Sequence, residues 1–187
     1  MSFLREFKRA GVALVVLSVL TGGLYPLAVT AAAALLFPGR ARGSLVVVEG
    51  EVRGSTLVGQ EFRGERWFHG RPSATAYSAL PSGGSNSGTN HPELARAIAE
   101  RASALRAAGV DGPLPADLLT SSASGLDPHI SPAAAHAQVA RVARARGLSE
   151  ERVHALVEAC VEGRLLGVLG QPRVNVLALN LALERLR

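Results

Sequence analysis

The sequence predicts an α/β (mixed) extracytoplasmic domain preceded by one N-terminal transmembrane helix. Three observations carry that expectation. No charged residue occurs between Arg9 and Arg40. Short β-branched runs punctuated by glycine lie between residues 45 and 62. After Pro92 come amphipathic segments, most of them with a start signal and a glycine stop.

The uncharged interval contains GVALVVLSVLTGGLYPLAVTAAAALL, Gly11 to Leu36, 26 residues long. About 20 apolar residues in a helix already span the hydrocarbon layer. A cleaved signal peptide is the rival reading, but its apolar stretch runs only ~7 to 15 residues and ends at a small-x-small site. Here bulky Leu35, Leu36 and Phe37 follow the alanines, which disfavours cleavage. Gly22, Gly23 and Pro26 would break a soluble helix, yet lipid tolerates them where neighbouring helices satisfy the freed backbone. Ser18, Gly22 and Pro26 are spaced by four, and helices in lipid associate through small residues. These three are therefore partner-contact candidates.

Arg5, Lys8 and Arg9 precede the helix, and Arg40 and Arg42 follow it. The positive-inside rule then keeps the short end in the cytoplasm. The expected organisation is a cytoplasmic N-terminus over 1–10, a membrane helix over 11–36 and an extracytoplasmic mixed α/β domain over 37–187. The expected location is the inner (cytoplasmic) membrane, with a single pass.

Within the domain, LVVV and EVRGSTLVGQEF read as short strands joined by turns. WFHGRPSA ends in residues that break a strand. Ser78 to Pro92, SALPSGGSNSGTNHP, has no periodicity and reads as a loop. ELARAIAERASALRAAG sets Leu94, Ile98, Ala102 and Leu105 on one helical face and stops at Gly109. SPAAAHAQVARVARARG reads as one helix, with Ser131 as N-cap, Pro132 at its first position and Gly147 past its end. SEERVHALVEACVEG repeats the device, from Ser149 to Gly163. VNVLALNLALERLR partly alternates like a strand and partly keeps helical spacing. Its leucine and alanine content favours helix.

The net charge of +5 invites a nucleic-acid function. Arginines, however, are interspersed with glutamates, and aromatic residues make up only 4%. No basic stripe or stacking platform results, so no nucleic-acid partner is expected. Cys160, the single cysteine, has no partner for an internal disulfide and sits among small apolar helix residues.

Lys8 is the only lysine, so the phosphate-binding loop of a nucleotide hydrolase is missing its cation. Ser82, Gly83, Gly84, Ser85 and Asn86 are weak ligand-binding candidates, as a nest of backbone N–H groups, and they loosely resemble the LSGGQ signature of ABC transporters. Ser121, Ser122 and Ser124 lie near Asp127 and His129, but no G-x-S-x-G elbow is present, so no catalytic residue is assigned. The five histidines show neither H-x-x-x-H nor H-E-x-x-H spacing, so no metal site or bound cofactor is expected. In LDPHISP, Pro128 keeps Asp127 extended and Asp127 can accept N–H groups that follow it. The stiff turn suits a surface presented in one shape, which makes Asp127 and His129 partner-contact candidates.

GLYPLAVTA, GEVRGSTLVGQEF, WFHGRPSA, SGGSN, SGLDPHISPAAAHAQVARVARARGL and GQPRVNVLALNLAL, taken in order, closely resemble the C subunit of the Kdp-type potassium-transporting ATPase. The loop SGGSNSGTNHP departs from that family's usual SGGSNLGPTNP. The resemblance implies a membrane complex of four parts: a potassium-channel-like subunit, a P-type ATPase subunit, a small single-helix subunit and this one. ATP and potassium are then handled by the complex. This subunit is implied to be needed for assembly and to act as a catalytic chaperone raising the pump's affinity for ATP. The implied topology puts SGGSN across the bilayer from cytoplasmic ATP, which argues against direct contact. The sequence itself carries no DKTGT motif and one membrane helix, so it is not the energy-coupling subunit. Two other classes remain: a membrane-anchored hydrolase, or a solute-binding module built around Arg71, Ser82 to Asn86 and Asp127 to His129.

Overall fold

The computed structural model describes residues 2–186 and divides into two compact units, Met1–Leu45 and Val46–Arg187. The first is dominated by one helical rod, Ser2–Leu36, of 35 residues, with no side chain buried in its most apolar window. It comprises α1 (Ser2–Val19), a π turn (Leu20–Leu24) and α2 (Tyr25–Leu36), followed by the short α3 (Pro38–Ala41). The helix thus starts before Gly11 and includes the charged turns of the N-terminus. At about 1.5 Å per residue it exceeds the ~30 Å hydrocarbon layer, so only part of it is needed to span.

The π turn has a chemical cause. Pro26 has no N–H to donate and its ring crowds the carbonyl four residues back, on Gly22. The chain widens there, and Tyr25 N–H donates to the Leu20 carbonyl five residues away. Uniform α spacing would align Ser18, Gly22 and Pro26 on one face. The wide turn lies among them and re-phases that line.

After α3, β1 (Leu45–Val48) and β2 (Glu51–Ser55) form a two-stranded hairpin. Glu49 and Gly50 both have positive φ (54° and 84°), as a type I′ turn requires. Extended structure ends at Ser55, short of the expected Phe62. Gly59 is instead pressed against the Leu126–Asp127 backbone, its N–H donating to the Leu126 carbonyl at 2.8 Å. A Cβ there would lie 2.5 Å from the Asp127 carbonyl oxygen.

The helices α4 (Pro92–Ala107) and α5 (Ala116–Leu119) follow the long loop. α4 is capped by the His91 ring, which accepts the Glu93 N–H, and it is followed by Gly109 at φ +80°. Next come β3 (His129–Ile130), α6 (Pro132–His136), α7 (Val139–Arg146), α8 (Glu150–Ala159), β4 (Val161–Glu162), β5 (Arg173–Asn175) and α9 (Val176–Arg185). The sheet order is β3-β5-β4, antiparallel, with Ile130 and Val161 both opposite Val174. Phe68, Ile130, Val142, Val153, Val157, Val174, Leu179 and Leu183 form its core with almost no exposure.

Three further segments differ from expectation. The helix expected from Pro132 to Arg146 breaks at Ala137–Gln138. The Ala134 carbonyl, which an unbroken helix would give to the Gln138 N–H, accepts the Gln138 side-chain amide instead, at 3.1 Å. The helix after Ser149 stops at Ala159 rather than Gly163, because Val161 and Glu162 pair with β5. The ambiguous C-terminal segment contains both structures: a three-residue strand, then a helix for which the Asn175 side chain accepts the Ala178 N–H at 3.0 Å.

Candidate functional site

The segment around WFHG has no regular structure, yet it runs through the centre of the domain. Its backbone is held by side chains from α9, from α7 and from the residue that precedes α7. Asn180 on α9 accepts the Phe68 N–H and donates to the Phe68 carbonyl, both at 2.9 Å. Gln138, at the break before α7, accepts the His69 N–H at 2.8 Å and donates to the His69 carbonyl at 3.1 Å. Arg141 donates to the carbonyls of Glu65 and Trp67 and to Gln138 Oε1. Side-chain amides thus replace the strand partners that a buried peptide needs.

Beside this segment lies a cavity of about 430 Å³ whose lining includes Arg71, Arg101, Arg141, His69, Glu61 and Tyr77. The three guanidinium groups are engaged by the protein itself. Arg71 donates to Asp127 Oδ2 at 3.1 Å and to the Ser121 carbonyl at 3.3 Å. Arg101 donates to the Leu119 carbonyl and to Ser121 Oγ. Burial lowers the His69 pKa, and the Arg141 cation lowers it further against a hydrogen bond to Gly64. His69 is therefore neutral at neutral pH.

LDPHISP does not line this cavity and is joined to it through Arg71. Asp127 Oδ1 accepts the His129 N–H at 3.0 Å while Oδ2 takes Arg71. The His129 ring lies 3.9 Å from Oδ1, beyond hydrogen-bond reach, and 3.5 Å from Asn175 Nδ2. Burial, then the Arg173 cation, lower the His129 pKa, so this ring too is neutral. Ser121 Oγ serves Arg101, and Ser124 Oγ accepts the Leu126 N–H. Neither hydroxyl is aimed at His129, and burial raises the Cys160 thiol pKa. The arrangement fixes loops to one another.

Ser82 to Asn86 pack beside the same loops. A Cβ on Gly84 would lie 3.0 Å from the Ala123 carbonyl, and one on Gly125 2.7 Å from the Gly83 carbonyl. Ser82, Ser85 and Asn86 are exposed, and Asn86 has φ +52°.

An exposed apolar turn lies between β4 and β5. In GRLLGVLGQ, Leu165 and Leu169 exchange backbone hydrogen bonds, both at 2.9 Å, around a tight turn. Leu166 and Val168 at its tip are 84% and 72% exposed. A lone apolar side chain on a surface is ordinary; here two lie close together at one exposed turn. The signal lay in the run LLGVL itself, between Gly163-Arg164 and Gly170-Gln171-Pro172.

Residues 7–185 match the model of the KdpC family, described as "K+-transporting ATPase, c chain". The chain belongs to that family. A potassium-transporting ATPase KdpC subunit of Sorangium cellulosum is 56% identical over 189 residues, covering 98% of this chain and 100% of the relative. That of Variovorax paradoxus is 60% identical over 173 residues, 90% of each chain. That of Bradyrhizobium diazoefficiens is 52% identical over 196 residues, covering 97% and 98%. Family membership makes this a potassium-transport subunit and accords with a membrane anchor at Ser2–Leu36. It gives no role to the Arg71–Asp127 cluster, to SGGSN or to the apolar tip.

Proposed function

We propose that the chain is the accessory, non-catalytic subunit of a high-affinity, ATP-driven potassium uptake complex. It is anchored in the inner membrane by one helix, with residues 37–187 outside the cytoplasm. Its partners are the potassium-channel-like subunit, the P-type ATPase subunit and the small single-helix subunit. It supports assembly and raises the pump's affinity for ATP through protein contacts, without itself touching nucleotide. The observation that carries this reading is the contrast between polar and apolar groups. Arg71, Arg101, Arg141, Asn180 and Gln138 bind the domain's own backbone, while Leu166 and Val168 are displayed to solvent.

Leu166→Asp combined with Val168→Asp tests the contact. Both side chains are exposed, and Asp tolerates the positive φ of Leu166. The variant should fold but lose copurification of the other subunits from gentle detergent. Undiminished copurification would remove the tip from the docking surface. Topology is tested by Ser85→Cys in a Cys160→Ala background. An impermeant maleimide should label intact spheroplasts; labelling only after lysis would reverse the orientation.

A further inference from the structure

His136, the last residue of α6, faces His154 and Glu158, which lie one turn apart on α8. His136 Nε2 is 2.8 Å from Glu158 Oε1. The two imidazoles stack with centroids 4.3 Å apart at 26°. One ligand atom from each of the three residues lies within 4.8 Å of the others. We propose that His136, His154 and Glu158 form a surface site for a borderline transition-metal ion, with Zn²⁺ as the reference case, that ties the end of α6 to α8.

The donor set selects the class of ion. Two imidazole nitrogens and one carboxylate oxygen suit Zn²⁺, Ni²⁺ or Cu²⁺, whereas Mg²⁺ and Ca²⁺ take oxygen shells. Ligand bonds of about 2.0–2.2 Å at tetrahedral angles put donor atoms roughly 3.4 Å apart. The His136–Glu158 pair therefore opens slightly around an ion and the third donor closes in. His154 and Glu158 are exposed and free to rotate toward it. Three protein ligands leave the fourth position to water. His136 Nδ1 is buried and has no hydrogen-bond partner. Loss of such an outer bond typically weakens a site about 10–100-fold, so micromolar rather than nanomolar affinity is expected. Spacing searches miss this cluster because the fold assembles it from two helices; only His154-x-x-x-Glu158 was visible in the sequence.

The test is calorimetric titration of ZnCl₂ into the full, tag-free chain in detergent after chelator treatment, with thermal melts beside it. One ion per chain and a raised melting temperature are expected. His154→Ala and Glu158→Gln, both at exposed positions, should weaken binding at least about tenfold and abolish the thermal shift. His91→Asn, which retains a capping side chain on α4, should bind as the wild type. Absence of saturable binding, or binding that His154→Ala and Glu158→Gln leave unchanged, would overturn the site.

Discussion

Asn180 holds Phe68 through both ends of its amide: Oδ1 accepts the Phe68 N–H and Nδ2 donates to the Phe68 carbonyl, each at 2.9 Å, with both residues buried. One side chain thereby does for an irregular segment what a neighbouring strand does in a sheet. Asn180→Leu leaves a buried N–H and a buried carbonyl without partners, at about 1–3 kcal/mol each. The expected loss is about 2–6 kcal/mol, read as a fall in the melting temperature of the chain in detergent. A stability unchanged by this substitution would mean that the WFHG segment is not anchored through α9.

Asp127 has two tasks at one carboxylate, the His129 N–H and the Arg71 guanidinium. Asp127→Ala should destabilise by about 2 kcal/mol, since two bonds worth about 1 kcal/mol each are lost. Asp127→Asn keeps an acceptor for the His129 N–H and should lose roughly half as much. His129→Ala should cost less than either, because the ring's polar contact with Asn175 is long, 3.5 Å. Denaturant midpoints of the three variants give the ranking.

The glycines of the SGGSN region separate packing from flexibility. Gly125 has φ +70°, and a Cβ on it would meet the Gly83 carbonyl and Thr75 Oγ1, both at 2.7 Å. Gly125→Ala should cost about 1–2 kcal/mol from backbone conformation alone, and more from the contact. Gly83 has ordinary φ and open space around its missing side chain. Gly83→Ala should therefore change stability by less than about 0.5 kcal/mol. Equal effects from the two substitutions would contradict the loop packing described above.

His69 is held neutral in the fold, first by burial and then by Arg141. The unfolded chain takes up a proton near the ordinary value of 6.5, while the folded chain does so only at lower pH. Unfolding therefore binds protons in that window, and acid favours it. Stability should be flat above about pH 7 and fall as pH drops through about 6.5 toward the folded pKa. His129 shifts in the same direction and adds to the slope. Urea midpoints between pH 8 and 5 measure it, and His69→Gln should flatten the curve.

What was legible in the sequence was local. Ser131 and Ser149 cap the helices they precede, and Gly147 takes the left-handed φ of +66° past α7. Asp127 accepts a following N–H, as the turn chemistry of LDPHISP indicates. The tertiary partners were not legible. Gln138 meets His69 at a separation of 69 residues and Asn180 meets Phe68 at 112, distances over which periodicity carries no information. A clue existed in Asn180, which shares a helical face with the buried Val176 and Leu183. A polar residue in an apolar stripe needs a partner. The π turn was equally hidden: Pro26 and the glycine pair announced a disturbance in the helix, but spacing alone did not define its form.

The proposed action of this chain on the pump runs through protein contacts. The most direct measurement is the ATP-concentration dependence of potassium-stimulated hydrolysis by the detergent-purified complex, with this chain present and after it is stripped away. No hydrolysis by the isolated chain is expected, and the stripped complex should show a higher KM for ATP, restored by adding back the wild-type chain but not Leu166→Asp with Val168→Asp. An identical ATP dependence with and without the chain, or hydrolysis by the chain alone, would contradict it.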